Sequence, residues 1–374
     1  MKIGIIGYGK MGKDIFSCLS EKLNDVEFVI IVRHNANDFA DDIVKKLGKD
    51  IRRKKITQDQ YDLKLKSFVF TDSFSLLSDC NMVIEAVSEN LNLKRNIFSD
   101  VEKLVSHECI LATNTSSLSI DKIFSDVLYK ERCLGLHFFY PVKLSGFIEV
   151  NLLEYSGQTI KEHISIFAQS IGKSTVTFQK PYHFYLNQFI LFCISKAFSL
   201  KEKYNLSVSN EIEILSEIFP IHGLLGMVDS IGLALLAQSE SELPVKRISN
   251  DIEYAKSMMR KWLADGCSGE PLYWLDFMSE YESNLTFNDN FKAYKEQILL
   301  EITAAVLNEA VLAADDNQTN YSGIIFALSD VLGLAENMSY YYNLYGYDRI
   351  SNTLRSTELY DCIATESLYN KYLL

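Results

Sequence analysis

An α/β protein, a doubly wound sheet followed by an all-α region, is what this sequence predicts, on three observations. Short apolar runs alternate with helix-like stretches as far as residue 178. A G-x-G-x-x-G pattern separates the first apolar run from the first helical stretch, at residues 7–12. Beyond Lys180-Pro181 the β-like runs give out and amphipathic helical spacing takes over. Strand alternating with helix implies crossover connections, and hence a parallel sheet.

The elements follow in order. MKIGIIG at 1–7 is a short apolar strand ending in glycine, and residues 10–23 read as a helix. VEFVIIV at 26–32 is apolar on both faces, as a buried parallel strand is. After a polar helical segment come strands at 67–70 and 82–85, a helix at 91–105, and strands at 110–113 and 133–138. Runs at 148–152 and 174–178 complete the sheet. Three domains are expected: a nucleotide-binding unit at 1–180, a helical unit at 181–285 and a second helical copy at 286–374. The copy rests on a faint internal echo. Ile194-Ser195-Lys196-Ala197 resembles Leu307-Asn308-Glu309-Ala310, and Ser216-Glu217-Ile218 resembles Ser329-Asp330-Val331, both at an offset of 113, with Gly232 and Gly346 close to it.

The 374 residues, 48% of them hydrophobic, suffice for two or three cores. A formal charge of −12 lacks the basic footprint of a nucleic-acid binder and gives no attraction to anionic membranes. Seven scattered cysteines without a C-x-x-C read as reduced, mostly buried thiols of a cytoplasmic protein. A strand starting at Lys2 leaves no room for a leader, and the most apolar stretch, 298–314, carries Glu301 and Glu309, so no membrane span is expected.

Gly7, Gly9, Lys10, Met11 and Gly12 carry the nucleotide fingerprint of a Rossmann-like fold. The first glycine permits the tight turn, the second admits a pyrophosphate, and the third allows helix and strand to pack closely. The acid expected to hold the adenosine ribose is replaced by Arg33, followed by His34 and Asn35. Arginine cannot accept from a 2′-hydroxyl but pairs with a 2′-phosphate, which tilts the expectation from NAD toward NADP. A solvated arginine beside an NAD site is the alternative. Between Lys45 and Lys66 nine basic residues face three acids. This is either a solvated surface helix or a phosphate clamp for a coenzyme A thioester, with Arg52, Arg53, Lys54 and Lys55 as its members.

His137 lies in the apolar run Gly135-Leu136-His137-Phe138-Phe139-Tyr140-Pro141, and Glu149 follows twelve residues later. An imidazole oriented by a carboxylate, downstream of a dinucleotide fingerprint, suits the general base of a hydride-transfer reaction.

Several blocks together resemble the L-3-hydroxyacyl-CoA dehydrogenase family. Glu85-Ala86-Val87-Ser88-Glu89 through Lys94 is similar to its E-A-x-x-E-x-x-x-x-K segment, Thr113-Asn114-Thr115-Ser116-Ser117-Leu118 to its S-N-T-S-S-L strand end, and Gly135 through Glu149 to its G-x-H-F-F-N-P-V…E block. Asn187 falls where the family has N-R. The resemblance covers residues 1 to about 200 well and continues weakly through Phe219-Pro220-Ile221-His222-Gly223 and Leu225–Asp229. Residues 304–350 look like the second helical copy of the fused β-oxidation proteins.

The resemblance implies roles for this chain's residues. His137 is the base that exchanges a proton with the 3-hydroxyl, and Glu149 orients it. Ser116 binds the substrate oxygen, Asn187 holds the substrate near the base, and Glu89, Lys94 and Asn114 contact the cofactor. It also implies a thioester substrate on CoA and either a monomer or a homodimer, because a tandem copy can fill the surface through which single-unit members pair. The departures are Tyr140 for asparagine, His183 for glycine, Gln188 for arginine, and a degraded segment at Gly266–Trp274. Tyr140 and His183 bear on the acyl pocket. They leave open a dehydrogenase acting on an acyl-carrier-protein thioester in secondary metabolism, and a scaffold that binds the cofactor without turnover.

Overall fold

The computed structural model describes residues 1–179, 184–220, 223–238, 249–316, 321–356 and 362–374. These form two compact units, Met1–Phe184 and Tyr185–Leu374. The helical segments expected as two domains, 181–285 and 286–374, lie in one unit.

The first unit is built on an eight-stranded sheet in the order β3-β2-β1-β4-β5-β6-β7-β8. Its strands are β1 (Lys2–Ile6), β2 (Glu27–Ile31), β3 (Phe68–Thr71), β4 (Met82–Glu85), β5 (Ile110–Thr113), β6 (Cys133–Phe138), β7 (Phe147–Leu152) and β8 (Ser174–Phe178). Helices α1 (Lys10–Lys22), α2 (Ala36–Arg52), α3 (Gln58–Lys66), α4 (Leu91–Glu102), α5 (Ile120–Ile123) and α6 (Gln158–Ser170) connect them. Strands β1 to β6 are parallel, as the continuous apolar runs required. The expectation of a wholly parallel sheet fails at β7, which runs antiparallel to β6, while β8 runs parallel to β7. The chain returns to β7 through residues 139–146, too few for a crossover helix, so the two strands pair as a hairpin.

Alternate residues of the central strands feed two cores. Ile3, Ile5, Phe28, Ile30, Ile84 and Leu136 pack on one face with Ile15, Phe16 and Leu19 of α1. Ile6, Val29, Val83 and Leu111 pack on the other with Ile97, Phe98 and Val101 of α4. Each such side chain removed from water contributes about 1.5–3 kcal/mol. Helix α4 starts where Asn90 accepts a hydrogen bond from Leu93 N at 2.9 Å, and α3 opens with a Thr57–Gln60 capping box.

The second unit is all helix among its described residues. It contains α7 (Tyr185–Lys203), α8 (Val208–Leu215), α9 (Leu224–Ile231), α10 (Leu233–Gln238), α11 (Ser249–Ala264), α12 (Trp274–Tyr281), α13 (Lys295–Asp316), α14 (Tyr321–Leu332), α15 (Met338–Tyr345), α16 (Tyr347–Ser356) and α17 (Glu366–Leu373). Among the described residues one helix, spanning Phe291–Asp316, is long and apolar enough to cross a membrane, against the expectation that none would be. Its most apolar window is 94% buried, with α7, α14, α16 and α17 packed on it, so it serves as the core of this unit. His183, Ile221 and His222, which entered the sequence comparison, lie outside the described residues.

Candidate functional site

The turn from β1 to α1 is shaped by its glycines. Gly7 has φ 99°, and a Cβ there would lie 2.7 Å from the carbonyl oxygen of Ala86. A Cβ on Gly12 would lie 2.1 Å from the carbonyl oxygen of Gly7, so only glycine lets α1 approach the strand this closely. A Cβ on Gly9 would meet nothing within 4 Å. Gly9 is also the N-cap of α1, with no side chain capping the helix and no acid in its first turn. The amides at the start of α1, including those of Lys10, Met11 and Gly12, therefore retain their affinity for an anion.

Beside this turn opens a cleft of about 870 Å³ at the carboxyl ends of β1, β2 and β4. Gly7, Tyr8, Gly9, Val32, Arg33, His34, Asn35, Phe39, Asp72, Phe74, Ala86, Ser88, Asn96 and Asp100 are among its lining residues. Tyr8 closes one wall against Phe39 and Phe70, with ring centroids 5.1 and 4.7 Å away. Burial pushes its phenol up to about 12, so it stays neutral. An uncapped helix start with open space at Gly9, beside a cleft that joins aromatic and aliphatic walls to polar side chains, fits a dinucleotide. Gly7, Gly9 and Arg33 thus share one cleft, and Arg33 is exposed there. Arg52, Arg53, Lys54 and Lys55 do not line it. They are exposed at the end of α2, where Lys54 takes φ 57°.

His137 and Glu149 face each other across the β6–β7 hairpin, in register. Nδ1 of His137 lies 2.7 Å from Oε2 of Glu149. The histidine is 6% exposed and the glutamate fully buried. The twelve-residue spacing becomes this pair because the return loop places 149 opposite 137 and puts both side chains on one face. The rings of Phe139 and Phe184 stand 4.4 and 6.1 Å from the imidazole, and Phe147 packs on Phe139. Phe184 N donates to Asn151 Oδ1 at 2.7 Å, which ties that ring to β7. The loop 139–146 is itself anchored. Val142 N donates to Asp14 Oδ2 at 2.6 Å, and the buried Lys173 ammonium donates to the carbonyls of Val142 and Ser145.

The β4 and β5 ends are joined by a charge network in which Lys94 and Glu85 are buried and Glu89 is exposed. Lys94, 1% exposed, donates to Glu85 Oε1 at 2.8 Å and pairs with Glu89 Oε2 at 3.2 Å. Glu85 also accepts from Val87 N at 2.7 Å and Thr113 Oγ1 at 2.6 Å. Glu89 accepts from the Thr115 hydroxyl, from Ser116 N at 3.1 Å and from Ser117 Oγ at 3.1 Å. Burial pushes the Glu89 carboxyl up, but the Lys94 ammonium and the Thr115 and Ser116 donors outweigh it and hold Glu89 below the usual range. Asn114 Oδ1 accepts from Phe138 N at 2.9 Å, linking the β5 end to the residue after His137.

Lys94, expected on the cofactor, is 1% exposed and pairs with Glu89, which in turn accepts from the Ser116 amide. Asn114 spends its carbonyl on β6. Ser116 is half-buried on the loop after β5. Tyr140 is 55% exposed just past β6, its ring 3.9 Å beneath the Lys10 ammonium. Asn187 belongs to the second unit, on α7. The clamps made by Glu85, Thr113, Asp14 and Lys173 carried no signal in the sequence beyond the E-A-x-x-E pattern, since each works through a contact distant along the chain. Among the described residues no cluster of three or more His, Cys, Asp or Glu is placed to hold a metal ion.

Residues 2–181 match the family described as 3-hydroxyacyl-CoA dehydrogenase, NAD binding domain. A peroxisomal fatty acid beta-oxidation multifunctional protein of Arabidopsis thaliana is 35% identical over 153 residues, which make up 40% of this chain but only 21% of that protein. A 3-hydroxybutyryl-CoA dehydrogenase of Clostridioides difficile is 27% identical over 240 residues, 62% of this chain and 83% of its own. The crystal structure of a 3-hydroxybutyryl-CoA dehydrogenase from Escherichia coli K12 superposes with a TM-score of 0.74 over 100% of this chain and 98% of its own, a likeness of fold at 18% identity. The glycine turn, the E-A-x-x-E segment and the His-Glu hairpin all fall inside the matched region, so residues 2–181 are similar to the NAD binding domain of 3-hydroxyacyl-CoA dehydrogenases.

Proposed function

We propose that this protein transfers hydride between NAD(P) and C3 of a 3-hydroxyacyl or 3-oxoacyl thioester, with the His137–Glu149 pair moving the proton. The observation that carries the reading is the 2.7 Å contact of His137 Nδ1 with a fully buried carboxylate, in the same unit as a dinucleotide turn. A bound nicotinamide supplies or accepts the hydride. With Nδ1–H donated to Glu149, the neutral imidazole keeps Nε2 as its acceptor, ready to take the proton of the 3-hydroxyl. Glu149 then stabilises the imidazolium, and in the reverse direction the same proton returns to the forming alkoxide. Phe139 and Phe184 keep the imidazole in apolar surroundings, which strengthens its pairing with Glu149.

Ser116, held through its amide by Glu89, is read as the hydroxyl that binds the substrate oxygen, and Asn187 keeps its substrate-holding role from the resemblance alone. Glu89 and Asn114 act mainly by shaping the loop after β5. Arg33 supplies the one guanidinium in the cleft and keeps a 2′-phosphate cofactor within reach. A basic run at Arg52–Lys55 is read as the phosphate contact of a CoA carrier. The test is turnover of a 3-oxoacyl-CoA and of the same acyl group on a carrier protein, followed by loss of NADH or NADPH absorbance. Turnover of the CoA ester supports the reading, preference for the carrier-bound group replaces the CoA assignment, and no turnover of either contradicts it.

We also read the second unit as a duplication. What supports this is the order of elements: α7 to α10 and α13 to α16 each run as a long helix, a short one, an eight-residue helix closed by a positive-φ glycine, and a further helix. The closing glycines are Gly232 at φ 96° and Gly346 at φ 72°. A chain ending at residue 285 would leave α7 without α13 and should self-associate; a well-behaved monomer would contradict the reading.

A further inference from the structure

Arg33 follows β2 and Asp72 follows β3, two neighbouring parallel strands in which Ile31 pairs with Thr71. Val32 N donates to Thr71 O at 2.9 Å, so the pairing continues to the last residue before each charge. The two side chains therefore leave adjacent strand ends, and both line the cleft. Both residues are exposed, and neither makes a side-chain hydrogen bond or ion pair among the described residues. The other carboxylate of the cleft, Asp100, is paired with Lys103 at 3.1 Å.

In this fold the adenosine ribose sits by the end of the second strand, where an acid usually accepts from its 2′-hydroxyl. Arg33 cannot accept, so the end of the second strand offers that hydroxyl no carboxylate. We propose that Asp72, from the third strand, is the specificity-determining carboxylate of the cleft: it accepts from a ribose 2′-hydroxyl and repels a 2′-phosphate, opposing Arg33. The inference rests on the NAD(P) reading and deepens it. Arg33 and Asp72 set opposite preferences at one position, so the natural cleft holds the two cofactors closer to parity than either residue alone would.

The test is titration of NADH and NADPH binding to the full chain and to Asp72→Asn, Asp72→Ala and Arg33→Ala. A carboxylate beside a doubly charged phosphate in partly screened solvent changes relative affinity by roughly tenfold. Asp72→Asn should therefore raise the preference for NADPH over NADH by about tenfold. Asp72→Ala should do the same and also weaken NADH, whereas Arg33→Ala should move the ratio toward NADH. A ratio unchanged in both Asp72 variants, or moved toward NADH, overturns the inference while leaving the NAD(P) reading intact. Binding of neither dinucleotide to the natural protein overturns both.

Discussion

Nζ of Lys94 lies 3.2 Å from a carboxylate oxygen of Glu89 while it also donates to Glu85, 2.8 Å away, and to the Val87 carbonyl at 3.4 Å. A buried ammonium between two carboxylates is a fixture. It sets the loop that carries Ser116, through Glu89.

Removing Lys94 leaves the Glu85 carboxylate buried without its cation, so Lys94→Met should lower unfolding free energy by about 3–5 kcal/mol, measured by chemical denaturation. A loss under about 1 kcal/mol would mean that the network relaxes freely.

The depressed Glu89 carboxyl makes a pH prediction with a definite sign. Its folded value lies below its unfolded one, so its contribution is present above the unfolded value and is lost as pH falls through the folded one. Glu89→Gln should flatten the acid limb of stability against pH, below about pH 4. Stability curves that remain parallel there would refute the assignment.

Glu211 points the other way. It is fully buried on α8, neither of its carboxylate oxygens has a hydrogen-bond partner among the described residues, and burial raises its carboxyl well above the usual range despite nearby Lys201. The folded state then holds a proton that the unfolded state releases, so stability falls as pH rises from about 4.3 toward the folded value. Glu211→Gln should remove that fall and stabilise the protein at neutral pH, by about 1–3 kcal/mol. Thermal melts at pH 5 and pH 8 check this; a less stable variant at pH 8 would contradict it.

The glycines of the turn separate folding from binding. Gly9→Val meets open space, so its melting temperature should hold while NADH affinity drops at least tenfold, since the side chain enters the volume read as the pyrophosphate site. Gly12→Ala drives a methyl into the Gly7 carbonyl and should destabilise the fold itself. Equal effects of the two substitutions on stability would contradict the distinction.

Much of this arrangement was legible in the sequence, for identifiable reasons. Strands β1, β2, β4, β5 and β6 announce themselves as apolar runs, and Gly7, Gly9 and Gly12 mark a turn whose backbone demands are local. His137 and Glu149 were readable as a pair because a short loop between two strands converts sequence spacing into cross-strand register. The reversal at β7 was missed, because apolar alternation does not record strand direction. The pairing of Lys94 was silent because burial cannot be read from a charged residue's identity, and Asp72 was silent because its neighbour Arg33 sits 39 positions earlier in the chain.

The most direct measurement compares kcat for 3-oxoacyl-CoA reduction in the natural protein, His137→Gln and Glu149→Gln, with NADH affinity and melting temperature followed alongside. The account predicts losses of about 10²–10⁴ in kcat for His137→Gln with cofactor affinity unchanged, and a smaller loss for Glu149→Gln with an altered pH–rate profile. A His137→Gln protein that turns over at the natural rate would contradict it.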